Sequence, residues 1–141
     1  MKILIDTNVL IDAAAMRMPF YTFSEKVIDI CHQDVEGVIA AHSIVNMAYL
    51  LRKTLTLSEF KELILSLSEF IKIESVDVEK ILRAIEDKDF KDFEDCLQLQ
   101  CAINFDADYI VTRNVADFKS SKIPAITPQD FLKLYSEKEV F

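Results

Sequence analysis

Glycine is nearly absent from this chain: one residue in 141, alongside three prolines. A loop that cradles phosphate needs bare backbone at close approach, so a phosphate-binding P-loop and a glycine-rich dinucleotide turn are both excluded. The same scarcity favours long regular elements joined by short connections. Cysteine is sparse as well. Cys31, Cys96 and Cys101 form an odd set without CxxC spacing, which fits buried reduced thiols rather than a disulfide framework. His32 and His42 stand at no zinc-type spacing from any cysteine, so a zinc site is not expected. No apolar run reaches the roughly 18–20 residues that span a bilayer. The opening MKILIDTNVLIDAAA is short and interrupted by Asp6 and Asp12, and a charged core would insert poorly as a secretion signal. A cytoplasmic location, away from membranes, is the expectation. Positive charge is also in deficit, with 16 Lys and Arg against 24 Asp and Glu, a net charge of −8 and a pI near 4.7. This opposes nonspecific attraction to nucleic acid, which depends on cations neutralising phosphates.

What is present is globular: 51% hydrophobic and 28% charged residues, in a length that suits one domain, 1–141, with a substantial core. Lys2–Ile5, Val38–Ala41 and Tyr109–Thr112 read as buried strands, and the alternating run Ile71–Val76 as an outer strand. Helical periodicity fills the intervals. One helix runs from a cap at Asp6 or Thr7 to Met16, a second covers Ser24–Gln33, and a third opens at His42-Ser43 and ends before Arg52 and Lys53. Others run from Ser58, without a capping box, to Phe70, from Val78 to Ile85, and from Asp92 to Phe105. Phe93, Leu97, Cys101 and Phe105 form the inner face of that last helix. A final helix follows Thr127, with Pro128 in its first turn. Arg17–Tyr21 reads as a loop and Glu86–Glu94 as a solvated charge run. Strands alternating with helices imply an α/β three-layer sandwich around a central, mostly parallel sheet.

In open parallel sheets, sites form beyond the carboxyl ends of the strands. There the sequence places Asp6-Thr7-Asn8 after the first strand and Thr112-Arg113-Asn114 after the third. Asp117 lies three residues further on, and Asp92 and Asp95 lie one turn apart at a helix start. Each acid also has a plain structural reading. Asp6 and Asp92 are good N-caps, Asp95 suits a first helical turn, and Asp117 can be a solvated loop residue beside a core Phe118. Taken together, carboxylates drawn from distant segments repel one another unless something compensates. A hard divalent cation, Mg²⁺ or Mn²⁺, prefers such oxygen donors, orients water and stabilises charge at phosphorus.

The segments ILIDTNVLID (Ile3–Asp12), DFEDCLQLQCA (Asp92–Ala102) and ADYIVTRNVADF (Ala107–Phe118) together resemble the PIN-domain family, which includes VapC-type toxins. The R-x-P-F-Y loop at Arg17–Tyr21 and the tail IPAITPQDFL add to the likeness. The resemblance implies a parallel sheet flanked by helices and metal-dependent endoribonuclease activity. It makes Asp6, Asp95 and Asp117 the catalytic, Mg²⁺- or Mn²⁺-binding residues, with Asn8, Asn46, Asp92, Thr112 and Asn114 around them. Implied partners are an RNA substrate, a small antitoxin whose basic segment fills the acidic cleft, and a second copy of the chain. One position departs from the family pattern. Asn46 stands where many active members carry glutamate, which removes a charge from the metal shell and weakens the expected activity. A PIN scaffold that binds nucleic acid or protein without cutting is the rival reading. A haloacid-dehalogenase-like phosphatase is echoed by the first strand end, but Asn8 cannot supply its general acid. A receiver-type phosphoacceptor lacks its central-strand aspartate in Ile39–His42. Arg17, Arg52 and Arg113 are candidates for phosphate contacts.

Overall fold

A computed structural model describes residues 1–139. Strands β1 (Lys2–Ile5), β2 (Glu36–Ala40), β3 (Ile71–Glu74), β4 (Tyr109–Val111) and β5 (Ala125–Ile126) form one sheet in the order β3-β2-β1-β4-β5. Every pairing in it is parallel. The helices are α1 (Thr7–Ala14), α2 (Tyr21–Cys31), α3 (Ala41–Leu50), α4 (Leu57–Ser68), α5 (Val78–Glu86), α6 (Phe93–Asn104) and α7 (Pro128–Glu139). No described helix is long and apolar enough to cross a membrane.

β1, β4 and the Val38–Ala40 part of β2 lie between two apolar layers, which is why they read as unbroken hydrophobic runs, while the edge strand β3 keeps its alternation. On one face Ile3 and Ile5 pack with Val9, Val27, Met47 and Phe131 from α1, α2, α3 and α7. On the other, Leu4, Val38 and Ile110 meet Leu99, Cys101 and Ala102 of α6. Ile3, Leu4 and Ile5 are completely buried. Each such side chain contributes about 1.5–3 kcal/mol relative to an exposed one, so the central strand is strongly anchored. The expected three-layer α/β architecture is what forms. Phe118 is an anchor too, buried at 2% exposure and set edge-on to Phe90.

Several boundaries differ from those read in the sequence. The helix expected from Ser58 starts one residue earlier, because Thr56 is its cap. Glu59 N–H donates to Thr56 Oγ1 and Thr56 N–H to Glu59 Oε1, a complete capping box. α2 begins at Tyr21, so the end of the expected loop is already helical. β3 stops at Glu74, short of Val76, and Ala41 belongs to α3 rather than to β2. Phe93 is 49% exposed rather than inward, since it occupies the first helical position after the Asp92 cap. The 3-10 turn at Val115–Phe118 and the two-residue β5 are too short to leave a periodic signal. Thr127 does cap α7, accepting from Asp130 N–H with Pro128 in the first turn.

The one glycine has a steric role. A Cβ on Gly37 would sit 2.8 Å from Cys31 Sγ and 3.4 Å from Cys31 Cβ, so α2 can approach β2 only where no side chain intervenes. Gly37→Ala is expected to lower stability by about 1–3 kcal/mol through overpacking. Adding Cys31→Ala should return part of that loss, read as non-additivity in denaturant unfolding.

Candidate functional site

Strand register assembles the site. β1 and β4 pair Ile5 with Val111, so Asp6 and Thr112 emerge side by side at the carboxyl end of the sheet. Asp6 N–H continues the ladder to Val111 O. The Asp6 backbone sits at the N-cap position of α1, but its side chain makes no cap hydrogen bond. It is instead held from two other elements: Thr112 Oγ1 donates to Oδ2 at 2.6 Å and Gln98 Nε2 to Oδ1 at 2.8 Å. Asn114 N–H in turn donates to Thr112 Oγ1, orienting the hydroxyl. Asp6 is 5% exposed. Burial raises its pKa, the bonds from Thr112 and Gln98 pull it down, and Glu94 raises it again; the net direction is upward.

α6 precedes β4 and so begins at the same end of the sheet. Asp92 caps it, accepting from Asp95 N–H at 2.9 Å. Glu94, read from sequence as solvated, is half-buried. His42 Nε2 of α3 donates to its Oε1 at 2.9 Å, and Gln98 Nε2 lies within 3.1–3.2 Å of both its oxygens. One amide thus ties Asp6 to Glu94. Burial pushes the Glu94 carboxyl up, but His42 and Gln98 outweigh it and hold it below its ordinary value. Oxygens of Asp92, Glu94 and Asp95 approach within 4.8 Å of one another. With burial first, then Asp92, Asp6 and Glu94 repelling its charge, the Asp95 pKa is pushed up to about 8.

These groups line an open cleft of about 500 Å³ that also includes Asn8, Asn46 and Asn114. Thr112 is fully buried beneath it and acts through Asp6. Asp117, in the 3-10 turn, lines an adjoining cavity of about 240 Å³ that shares Asp92 and Asp95 but not Asp6. The sequence-derived residues therefore divide between two neighbouring cavities. Arg17 lines the cleft, Arg113 lies outside it, and Arg52 is engaged locally, donating to Tyr49 O and stacking on that ring. Glu94, Gln98 and His42 were not singled out in the sequence. Their only signals were a Glu-x-x-x-Gln pair on one helix face and polar glutamines inside an apolar stripe.

The donor set suits a hard divalent ion: carboxylate and amide oxygens, no thiolate within reach, and Asn8 Oδ1 buried without a hydrogen-bond partner among the described residues. The N-termini of α1, α3 and α6 also meet at this end of the sheet, and their positive dipole ends favour anions there.

A family model for the PIN domain matches residues 2–116. The chain belongs to the PIN-domain family. Solved structures share this fold at low identity. The Mycobacterium tuberculosis VapC20 toxin, described as cleaving the sarcin-ricin loop, superposes with a TM-score of 0.70 at 13% identity, covering 89% of this chain and 99% of that one. A toxin-antitoxin complex from Klebsiella pneumoniae gives 0.67 at 22% identity, covering 89% and 96%. VapBC2 from Rickettsia felis, bound to a promoter DNA fragment, gives 0.66 at 15% identity, covering 90% and 98%. No curated protein matches at the sequence level.

A carboxyl whose pKa is raised in the fold stabilises fully only below its unfolded value, and that contribution fades as pH rises through the folded value. For Asp95 the window runs from about 4 to about 8. In EDTA, Asp95→Asn is therefore expected to melt roughly 2–5 °C above the parent at pH 8 and to show no gain at pH 4. Millimolar Mg²⁺ should stabilise the parent and not the variant.

Proposed function

We propose that this PIN domain is a divalent-metal-dependent endoribonuclease and the toxin of a toxin-antitoxin pair. The observation that carries the reading is the convergence of Asp6, Glu94 and Asp95 from β1 and α6 into one cleft at the carboxyl end of the sheet. Asp6, Glu94 and Asp95 hold the ion, with Asp117 assisting from the adjoining cavity. Bound there, Mg²⁺ or Mn²⁺ supplies Lewis-acid chemistry, activating water and offsetting the charge that develops at phosphorus. Thr112 and Gln98 keep the Asp6 carboxylate in one orientation, and His42 does the same for Glu94, as outer-shell donors do around metals. Asn46 offers a neutral oxygen in place of a charge, so affinity for Mg²⁺ is modest.

The description of one structural neighbour as cleaving an RNA loop supports RNA as the substrate. The toxin-antitoxin complexes among the neighbours support a small antitoxin partner, whose basic segment would complement the acidic cleft. Val78, Leu82 and Ile85, exposed at helical spacing on α5, support contact with a second copy of the chain.

Purified protein incubated with single-stranded and structured RNA should cut in Mg²⁺ or Mn²⁺ and not in EDTA. Asp6→Asn should lower the rate by more than about 100-fold, beyond the usual cost of losing an outer-shell partner. Folded protein that cuts nothing with either metal would return the chain to the binding-module reading. Asn46→Glu should lower the Mg²⁺ concentration needed for half-maximal rate; an unchanged requirement would remove Asn46 from the metal shell.

A further inference from the structure

Beside the acidic cleft lies a further cavity, lined by aromatic rings and an arginine rather than by carboxylates. It holds about 310 Å³ and is lined by Pro19, Phe20, Phe23, Arg113 and the start of α7 at Pro128 and Gln129. The two spaces are joined by two loops that serve both. In one, Arg17 lines the cleft while Pro19 and Phe20 line the cavity; in the other, Asn114 lines the cleft while Arg113 lines the cavity. The cavity and the cleft are therefore neighbours along both loops. A groove of about 520 Å³ continues from it between α2 and α7, sharing Phe23 and Gln129 and carrying Lys26 and Lys133 with one acid, Glu137.

The chemistry of the cavity selects its occupant. The Arg113 guanidinium lies 4.3 Å over the Phe20 ring. Its Nε sits 2.6 Å from Oδ2 of Asp12, whose side chain is wholly buried. That pair is charge-neutral, so the cavity has little net attraction for a phosphate. What it presents is a flat guanidinium and two phenyl rings. Such a surface fits a planar, neutral ring with polar edges, and flat stacking is how unpaired bases are held. Gln129 is exposed at the rim, where its amide can meet a base edge. Lys26 and Lys133 supply cations for the following phosphate on an otherwise acidic protein.

We propose that this cavity takes an unpaired base of a single-stranded RNA whose neighbouring phosphate enters the carboxylate cleft, with the strand continuing along the α2–α7 groove. The inference rests on the RNA-cutting reading and adds to it a base-binding subsite on Phe20, Phe23 and Arg113.

The test is a single-stranded RNA carrying one 2-aminopurine, titrated with the full chain in EDTA so that nothing is cut. Stacking should quench the emission of the parent complex. Phe23→Ala should abolish the quenching and weaken binding roughly 5- to 100-fold. Gln129→Ala should keep the quenching and lose preference among bases. If Phe23→Ala does not melt cooperatively, Phe20→Leu, which keeps bulk but removes the ring, takes its place. Quenching without cleavage on adding Mg²⁺ or Mn²⁺ would uphold the subsite and end the nuclease reading. Cleavage without quenching, equal in parent and Phe23→Ala, would overturn the subsite and leave the nuclease standing. If instead an apolar side chain of a protein partner fills the cavity, emission stays unchanged in parent and variants alike, which also overturns the proposal.

Discussion

A carboxylate buried at the end of the central strand sets the terms for everything around it. Asp6 has lost nearly all its contact with water, and removing one ion from water costs several kcal/mol. Two hydrogen bonds to a charged acceptor offset about 1.5–3 kcal/mol each. They come from Thr112 beside it in the sheet and from Gln98 on α6, 92 positions away. Satisfying Asp6 therefore requires β1, β4 and α6 to be in register at once. The same amide of Gln98 then reaches Glu94, so the burial of one acid draws a second into the cleft.

This arrangement concentrates like charge in a cleft whose lining includes the cation Arg17. His42 serves Glu94 alone. Asp95 is left with burial and three acidic neighbours, and it keeps its proton near neutral pH. A proton and a divalent ion do the same electrostatic work there, and they compete for the same oxygens. On the proposed reading, RNA would be met by helix N-termini, by lysines outside the cleft and by flat apolar surfaces. The Asp12–Arg113 pair belongs to this division, since it joins α1 to the loop after β4 while cancelling charge in the neighbouring cavity.

Much of the fold is legible in the residues themselves. Strands covered on both faces must be apolar throughout, so Lys2–Ile5, Val38–Ala40 and Tyr109–Val111 announce themselves, and the polar residues that follow mark the carboxyl end where a site can form. Thr127-Pro128 marks the start of α7 for an equally local reason, because a cap and its first turn are contiguous in sequence. Local patterns misplace an element where they have near-equal competitors. Ser58 and Thr56 both cap well, and only the reciprocal bond to Glu59 separates them. Phe93 obeys the helical spacing of the core stripe, yet it sits in the first turn, beyond the edge of the layer it was expected to join.

The sequence by itself determined the alternation of strands and helices, the exclusion of glycine-loop chemistry, and the segments that carry Asp6, Asp95, Thr112 and Asn114, because those follow from composition and short-range periodicity. Tertiary structure alone decided that Glu94 is half-buried against His42, that Gln98 spans two acids, and that Asp117 faces an adjoining cavity without Asp6. It also decided that Asp12 is buried against Arg113. Each of these depends on how far one packed element slides or turns against another. A shift of one residue in strand register, or a fraction of a turn in a helix, would leave the local pattern unchanged and separate these side chains.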